Sequence, residues 1–430
     1  MLNPVPTTNS SRTEREVRGR KILMVCAYLP CLGVHSGGNT MFNLIRALSQ
    51  RHQLTVLSFY ETESDLEYIP MLTPYCERLE AIHRGQSFDT PNPFGLKPPE
   101  IVHEFHHKGM QHLVENYLRT NEFDLIQCEF LQTAHYANID PDIPAVLTNH
   151  ELLSLSYFNA YRDLPWNSGR KFDALVSWMR MLNYEEKILR RFSAVVVLTR
   201  PEREFLARYA PQARVYDHPT GVDYDFFSST GQEPDAGTLI FVGNFRHTPN
   251  VTGIMWFLKH AWPKIRARCP STRLCIIGGN PPAALQNLHG HNGVTVTGRV
   301  DDIRPFLQQA SVFVAPLFDG AGLRGKVLEA WAMEKPVVGT RLAFQGLTPS
   351  DGTICLIADD SETFAARTCE LLENRELARN MGRQARQVVV SSFTWDAFGE
   401  QYDRIYRTIL EPRDESRFPA RSTAVGWERP

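Results

Sequence analysis

The sequence lacks the features that mark membrane-spanning proteins, secreted proteins and dedicated nucleic-acid binders. No apolar run reaches the ~18–20 residues that a membrane-spanning helix requires, and the first twenty residues contain no apolar core of a secretory signal. The formal net charge is only −2 over 430 residues, whereas binding to a phosphate backbone needs a basic surface. We therefore expect a protein that is not integral to a bilayer and that does not bind nucleic acid.

Disulfide and zinc frameworks are missing as well. The eight cysteines are scattered along the chain, and no two of them form a C-x-x-C pair. Several lie in apolar segments that are predicted to be strands, which is typical of buried thiols in a reducing compartment. We expect a cytoplasmic protein.

Two polar clusters could suggest a metal site, but neither is convincing. Asp223 and Asp225 mimic an acidic metal motif, yet they lie in a polar segment where turn and capping chemistry is more common. His103, His106 and His107 have helical spacing, but no acidic residue or cysteine completes the set, which favours a solvated helix face. We expect no metal.

Common nucleotide-binding and hydrolase motifs are also absent. A dinucleotide fingerprint needs G-x-G-x-x-G directly after the first strand, and neither Cys31–Gly38 nor Ile277–Pro281 supplies it. The sequence contains no G-x-x-x-x-G-K-[ST] phosphate loop and no G-x-S-x-G nucleophile elbow. Dehydrogenase, kinase-like and hydrolase functions therefore lose their main support.

What the sequence does contain is an almost continuous alternation of short apolar runs and helical patterns. Hydrophobic residues make up 43% of the chain and charged residues 22%, the composition of a soluble globular protein. The alternation predicts parallel sheets with helices on both faces, and a polar, glycine-punctuated segment at 220–237 divides it into two series. The predicted organisation is α/β, with two doubly wound domains facing a cleft at 21–218 and 219–392, a terminal helix at 393–411, and disordered tails at 1–20 and 412–430.

Several predicted element bounds can be compared directly with the structure. A loop at 35–40 is predicted to precede a helix at 41–48. Continuous helical patterns are predicted at 100–118, 251–268 and 362–390.

One stretch of the second half has the pattern of an anion-binding site. The predicted strand 311–315 is followed by a loop at 319–322 and by a helix that is predicted from Leu323. A helix that opens on glycines offers unpaired backbone N–H groups and the positive end of its dipole. Arg324 and Lys326 lie in its first turn, where basic residues are unfavourable unless a polyanion binds there.

Glu329 follows one turn deeper, on the same helix face as Lys326. A carboxylate behind a phosphate site can accept hydrogen bonds from sugar hydroxyls. The alternative is an ordinary amphipathic helix with an i,i+3 ion pair between Lys326 and Glu329, because short glycine loops before helices are common in α/β proteins.

A set of short motifs, weak singly but specific in their order and spacing, resembles a known family. In the second half the motifs are Phe241–Asn244, Leu274–Gly278, Val296–Asp302, Val314–Leu317, Gly322–Ala332, Pro336–Thr340 and Gln345–Leu347. In the first half they are Gly37-Gly38, Asn149–Glu151, Tyr184-Glu185, Val197–Thr199 and Gly221–Asp223. Together they resemble the retaining glycosyltransferases of family four, which use nucleotide sugars and share the two-domain GT-B architecture.

The resemblance implies a donor-binding role for residues of the second half. Glu329 is similar to the family's glutamate that holds the ribose hydroxyls. Gly322 and Leu323 are similar to its backbone donors to the distal phosphate, and Gly243 and Asn244 stand where its first C-domain strand meets the donor.

Further roles follow from the same resemblance. Arg299 and Val300 resemble the turn that binds the base. Gly37 and Gly38 resemble the loop that closes over the phosphates and the transferred sugar, although a tight strand-to-helix connection would also explain them. His150 resembles the histidine near the reacting carbon, although strand-end histidines often only pair with the backbone.

Two departures from the family's pattern stand out. Ala321 occupies the position of the family's first glutamate, which touches the donor sugar. Asn244 and the segment 248–250 stand where members often carry an Arg and a Lys on the pyrophosphate, so Arg324 and Lys326 are expected to supply that charge. The lost glutamate leaves a catalytically degenerate nucleotide-sugar-binding subunit as one alternative, and an epimerase-like enzyme of the same architecture is another.

The expected function is that of a retaining, metal-independent glycosyltransferase, acting in surface polysaccharide or glycoconjugate synthesis. Its expected catalytic residues are His150, Arg324 and Lys326, the two cations stabilising the diphosphate leaving group together with the helix N-terminus. The expected partners are a nucleotide sugar and a glycan or lipid-linked acceptor. No cofactor beyond the donor is expected, and a lipid-linked acceptor would bring peripheral contact with the inner membrane face.

Overall fold

The computed structural model describes most of the chain, in the ranges 19–32, 36–85, 99–320, 323–347 and 350–411. Ala321 and Gly322 of the predicted anion loop lie outside these described residues. The same is true of nearly all residues in the two predicted tails.

The strands belong to two sheets, one in each half of the chain. The first sheet contains β1 (Lys21–Cys26), β2 (Gln53–Tyr60), β3 (Arg78–His83), β4 (Leu125–Glu129), β5 (Ala145–Asn149), β6 (Ala194–Val197) and β7 (Val215–Asp217). The second sheet contains β8 (Thr238–Val242), β9 (Arg273–Ile277), β10 (Val294–Gly298), β11 (Val312–Ala315), β12 (Val337–Gly339) and β13 (Leu356–Ile357).

Both sheets are parallel and doubly wound. The first has the order β3-β2-β1-β4-β5-β6-β7, and the second has the order β10-β9-β8-β11-β12-β13. Strands β1, β4, β5 and β6 are almost wholly buried, because helices cover both faces of the sheet. The strand order reverses between β1 and β4 and between β8 and β11, where ligands of open α/β sheets bind. The predicted fold class is confirmed.

The helices cover the two sheets in the order of the chain. Those of the first half are α1 (Ser36–Ser49), α2 (Ile69–Leu72), α3 (Glu100–His103), α4 (Lys108–Thr120), α5 (Leu153–Asp163), α6 (Lys171–Leu189) and α7 (Arg200–Tyr209). Those of the second half are α8 (Thr248–Trp256), α9 (Trp262–Arg268), α10 (Ala283–Gln286), α11 (Arg304–Gln309), α12 (Gly325–Ala332), α13 (Ser361–Glu373), α14 (Arg375–Ser392) and α15 (Trp395–Leu410). Within the described part of the chain, no helix combines the length and apolar composition needed to cross a membrane.

Helices of the first half differ from the sequence predictions at their starts. The predicted loop at 35–40 is wrong from Ser36 onwards, because α1 begins there and includes both glycines of the predicted loop. The helix predicted at 100–118 is divided into α3 and α4. The division lies at His107, whose Nδ1 accepts a hydrogen bond from the Met110 amide at 3.3 Å and caps α4.

Helices of the second half differ for similar reasons. The helix predicted at 362–390 is divided at Asn374, whose Oδ1 accepts a hydrogen bond from the Leu377 amide at 3.0 Å and caps α14. The helix predicted at 251–268 begins earlier, at Thr248, since Pro249 suits a first helical turn. A π-helical turn at Phe257–Ala261 then separates α8 from α9.

The terminal helix α15 returns from the second sheet to the first. Trp395, Phe398 and Tyr402 pack in one buried cluster with residues of β1, β5 and α1. An added Cβ on Gly399 would lie 2.7 Å from the Cβ of Ala47, so this close approach of α15 to α1 requires glycine. The first half of the molecule is therefore completed by the last described helix of the chain.

Candidate functional site

The candidate anion site lies at the reversal of strand order in the second sheet. Gly243 and Asn244 follow β8, and the segment 316–320 follows the neighbouring strand β11. The carboxyl ends of both strands point into the same crevice, and α12 begins a few residues farther along the chain. The fold thus brings together the sequence-predicted residues of β8 and of the glycine loop.

Arg324 stands immediately before α12 rather than inside its first turn, which corrects the predicted helix start at Leu323. Its Nη2 donates to the carbonyl oxygen of Gly320 at 2.7 Å, and only 7% of the residue is exposed. Burial lowers the pKa of Arg324, while Asp319 and Glu202 oppose that shift. The guanidinium stays charged, so a buried cation is held on the loop that precedes the helix.

Lys326 lies in the first turn of α12, as predicted, and its Nζ donates to Oδ1 of Asn250 at 2.6 Å. Burial lowers the pKa of Lys326 from 10.5 to about 7, and the nearby charge of Arg324 adds to the effect. Asn250 in turn donates to the Asn244 carbonyl at 2.7 Å. Asn250 thus connects Lys326 to the end of β8.

Close backbone contacts surround this crevice. An added Cβ on Gly243 would lie 2.9 Å from the side-chain Cγ of Asn250. Gly278, after β9, has a φ of +151°, and a Cβ there would lie 1.8 Å from the Gly243 carbonyl oxygen. Both positions therefore require glycine.

The predicted base-binding turn lies beside these glycines. Arg299 and Val300 follow β10, next in the sheet to β9. Arg299 is exposed and its Cβ lies 3.8 Å from the position of a Cβ built on Gly279. The turn therefore borders the same crevice as the cations, at the next strand ends along the sheet.

Glu329 lies one turn farther into α12 and is partly buried. Burial raises the pKa of Glu329 to about 7, and the neighbouring Lys326 opposes that rise. Because Nζ of Lys326 donates to Asn250 instead, the alternative of a simple i,i+3 ion pair does not describe this helix. A cation and a carboxyl group share one desolvated site.

The N-terminal residues gather at the strand-order reversal of the first sheet. Gly37 packs against Phe130, since an added Cβ would lie 2.4 Å from Cζ of that ring. Phe130 follows β4 with a φ of +74° and stacks on His150, with ring centroids 4.0 Å apart. Gly38, the next residue of α1, accepts a backbone hydrogen bond from Cys31 at 3.3 Å. The structure therefore brings the predicted glycines close to the predicted histidine.

His150 has a partner that the sequence did not reveal. Its Nε2 lies 2.7 Å from Oε2 of Glu129, the last residue of β4. Glu129 is fully buried and His150 is 7% exposed. The sequence does show an acidic residue, Glu129, at the carboxyl end of an apolar strand. It does not show that His150 is its neighbour, because that pairing depends on the order of the strands in the sheet.

Residues at the carboxyl edges of the two sheets come into contact. A Cβ on Gly346 of the second half would lie 3.0 Å from Leu323 and 3.2 Å from Thr199 of the first half. His247, which sequence reasoning missed, lies at this junction. Burial lowers the pKa of His247, Arg324 and Lys326 lower it further, and Glu151 of the first half opposes them.

Two doubly wound α/β domains whose sheets meet at their carboxyl edges have the GT-B arrangement. The family description "Glycosyltransferase Family 4" matches residues 37–226, and "Glycosyl transferases group 1" matches residues 236–374. The chain belongs to the family-four glycosyltransferases, and the predicted resemblance is confirmed.

Curated relatives of the chain include a synthase and a glycosyltransferase. N-acetyl-alpha-D-glucosaminyl L-malate synthase of Bacillus anthracis is 28% identical over 180 residues, which cover 40% of this chain and 45% of the relative. The lipopolysaccharide core biosynthesis glycosyltransferase LpsE of Rhizobium meliloti is 30% identical over 145 residues, which cover 32% of this chain and 42% of LpsE. The matched segments thus span less than half the length of these relatives.

Solved structures have the same fold over nearly the whole chain. Sucrose-phosphate synthase from Thermosynechococcus elongatus superposes with a TM-score of 0.67 at 17% identity, covering 91% of this chain and 99% of that one. Anabaena HepE in complex with UDP-glucose superposes with a TM-score of 0.59 at 14% identity, covering 90% of this chain and all of the other. At these identities the likeness concerns the fold.

Proposed function

We propose that the chain transfers a sugar from a nucleoside diphosphate sugar to a glycan or lipid-linked acceptor, with retention of anomeric configuration. The observation that carries the proposal is the pairing of Arg324 and Lys326 at the strand-order reversal of the second sheet. Two desolvated cations that lie together repel each other, and an anion bound between them relieves that repulsion. Family membership and the UDP-glucose complex of a protein with the same fold support a nucleotide sugar as that anion.

The leaving diphosphate gains negative charge as the sugar departs, and catalysis must chiefly stabilise that charge. Burial lowers the pKa of Lys326 to about 7, so docking of an anion would draw a proton onto Nζ. Each charge-assisted hydrogen bond from such a group is worth roughly 1.5–3 kcal/mol. In this proposal the cations take the place of a metal, and activity would persist in the presence of a chelator.

The transferred sugar would lie between α12 and the Gly37, Phe130 and His150 group of the first domain. His150 would contact the sugar or the incoming hydroxyl, and Glu329 would accept hydrogen bonds from the ribose. Arg299 and Val300 would border the base. Retention would proceed by same-face attack assisted by the leaving phosphate, and closure of the cleft would limit hydrolysis.

The acceptor side offers an apolar edge that supports peripheral contact with the inner membrane face. Trp166 is 85% exposed, in the connection between α5 and α6, and Phe172 of α6 is 70% exposed. Arg170 is exposed between them along the chain. Aromatic side chains flanked by cations suit the headgroup region of an anionic bilayer, and α5 begins three residues after His150.

The test incubates the protein with a panel of nucleotide sugars, with and without a glycan or lipid-linked acceptor. Acceptor-dependent release of the nucleoside diphosphate, together with an unchanged anomeric configuration in the product by NMR, is the expected result. Conversion of the donor without acceptor would instead indicate an epimerase-like enzyme. Tight binding without turnover would indicate a nucleotide-sugar-binding subunit.

A further inference from the structure

We propose that Tyr402 and Tyr406 of the terminal helix α15 are positioning residues for His150. They act through Glu129 and its two side-chain hydrogen-bond donors, and they set both the orientation and the tautomer of the imidazole. The consequence for catalysis rests on the proposed transferase function, whereas the hydrogen-bonded chain that carries the inference does not depend on any substrate.

Glu129 lies at the centre of this hydrogen-bonded series, and its carboxylate is fully buried. Oε2 of Glu129 lies 2.7 Å from Nε2 of His150. Oε1 accepts hydrogen bonds from the Thr148 hydroxyl at 2.8 Å and from the Gln127 side-chain amide at 2.5 Å. A carboxylate without solvent contact is tolerated only when its oxygens have such donors, so Thr148 and Gln127 help to hold Glu129 in place.

Both donors are themselves supported by α15. Thr148 gives its single hydroxyl proton to Glu129, so the Tyr402 hydroxyl, 2.9 Å away, must donate to the Thr148 oxygen. The Tyr406 hydroxyl donates to Oε1 of Gln127, which orients the amide so that its NH₂ group faces Glu129. Two hydrogen-bonded chains thus start on one helix face and meet at one carboxylate oxygen.

This arrangement determines which ring nitrogen of His150 carries the proton. A carboxylate only accepts hydrogen bonds, so Nε2 of His150 carries a proton. Nδ1 is buried and has no hydrogen-bond partner among the described residues. With Phe130 stacked on the ring at an interplanar angle of 17°, rotation of the imidazole would break two contacts. In this tautomer Nδ1 is therefore the ring nitrogen without a proton.

The experiment removes the two hydroxyls and keeps the rings, in the double variant Tyr402→Phe with Tyr406→Phe. We expect kcat to fall by roughly tenfold, the scale of one weakened hydrogen bond to a charged group, with the donor KM unchanged. The matched control is Tyr136→Phe, whose hydroxyl is buried in the same domain and donates to the Phe105 carbonyl at 2.6 Å, outside the chain to Glu129. The control should keep the wild-type kcat.

A second readout does not depend on activity. Nitrogen NMR of ¹⁵N-histidine-labelled protein, with the His150 signal assigned from a His150→Gln variant, should report a protonated Nε2 in the wild type and the control. In the double variant the signal should move toward a mixture of tautomers. Wild-type tautomer and kcat in the double variant would overturn the inference. A tautomer shift in a protein that transfers no sugar would support the positioning role and refute the proposed function separately.

Discussion

Replacing Lys326 by Met should produce a protein that is more stable but nearly inactive. The substitution keeps a long, unbranched side chain and removes its charge. Burial lowers the pKa of Lys326 from 10.5 to about 7, which corresponds to about 4–5 kcal/mol acting against the fold at and below pH 7. Since the side chain keeps some solvent exposure and donates to Asn250, we expect a net gain of about 1–3 kcal/mol.

The sign of this effect depends on pH in a defined way. A lysine whose folded-state pKa is lowered destabilises the native state wherever the unfolded chain is protonated and the folded chain resists protonation. The gain on substitution should therefore be full at pH 7 and should disappear as the pH rises toward 10.5. Urea unfolding at pH 7 and at pH 10 measures both values.

Turnover should move in the opposite direction. Loss of one group that stabilises the leaving diphosphate should lower kcat by a factor on the order of 10²–10³. The matched control is Lys335→Met, a lysine that is 4% exposed, beyond the far end of α12. Burial lowers the pKa of Lys335 to about 8, and its Nζ donates to the Gln308 carbonyl at 2.9 Å. Wild-type turnover in Lys326→Met, or equal inactivity of both variants, would refute the reasoning.

Four further outcomes are expected. Glu329→Gln should weaken binding of uridine or guanosine diphosphate by roughly 10–100-fold in calorimetry, because a charged acceptor for the ribose is lost; equal affinities would contradict the ribose assignment. Wild-type affinity for the diphosphate should peak near pH 7, since Glu329 is protonated below it and Lys326 is neutral above it; a flat profile would argue against both. Glu185→Gln should stabilise the protein at pH 8 by up to about 3 kcal/mol but not at pH 4, because burial raises the pKa of Glu185 to about 7 and the protonated form is lost as the pH rises through that value; urea unfolding at both pH values checks it. Trp166→Ser with Phe172→Ser should reduce sedimentation with anionic vesicles while leaving transfer to a soluble acceptor intact; unchanged sedimentation would remove the membrane contact.

The sequence predicted the fold and the position of Lys326 because both depend on local patterns. Parallel sheets follow from buried apolar runs that alternate with helical periods. The position of Lys326 at the start of a helix follows from the glycine loop before it. The start of α12 was misplaced by two residues, since Arg324 binds the Gly320 carbonyl and so adopts a non-helical conformation with φ −96° and ψ +80°.

The residues that sequence reasoning missed depend on contacts between distant segments. Glu129 ends an apolar strand and resembles any buried carboxyl group until β5 places His150 beside it. His247 has no motif of its own, and its environment is set by Arg324 and Lys326 from another element. Asn250 lies in the segment where members of the family often have a lysine. In the structure its Oδ1 accepts a hydrogen bond from Nζ of Lys326. Such pairings arise from topology, which spacing along the chain does not encode.

The return of α15 to the first sheet has a consequence for how the protein is made. Ile22 and Met24 of β1 share their buried cluster with Phe398 and Tyr402. One face of the first sheet therefore has only part of its cover until the end of the chain has been synthesised. The domain that emerges first is therefore among the last parts to mature, in contrast to the usual order in which domains fold as they are synthesised. The first half expressed alone should be prone to aggregation and should depend on chaperones. Adding residues 393–411 as a separate peptide should restore its solubility.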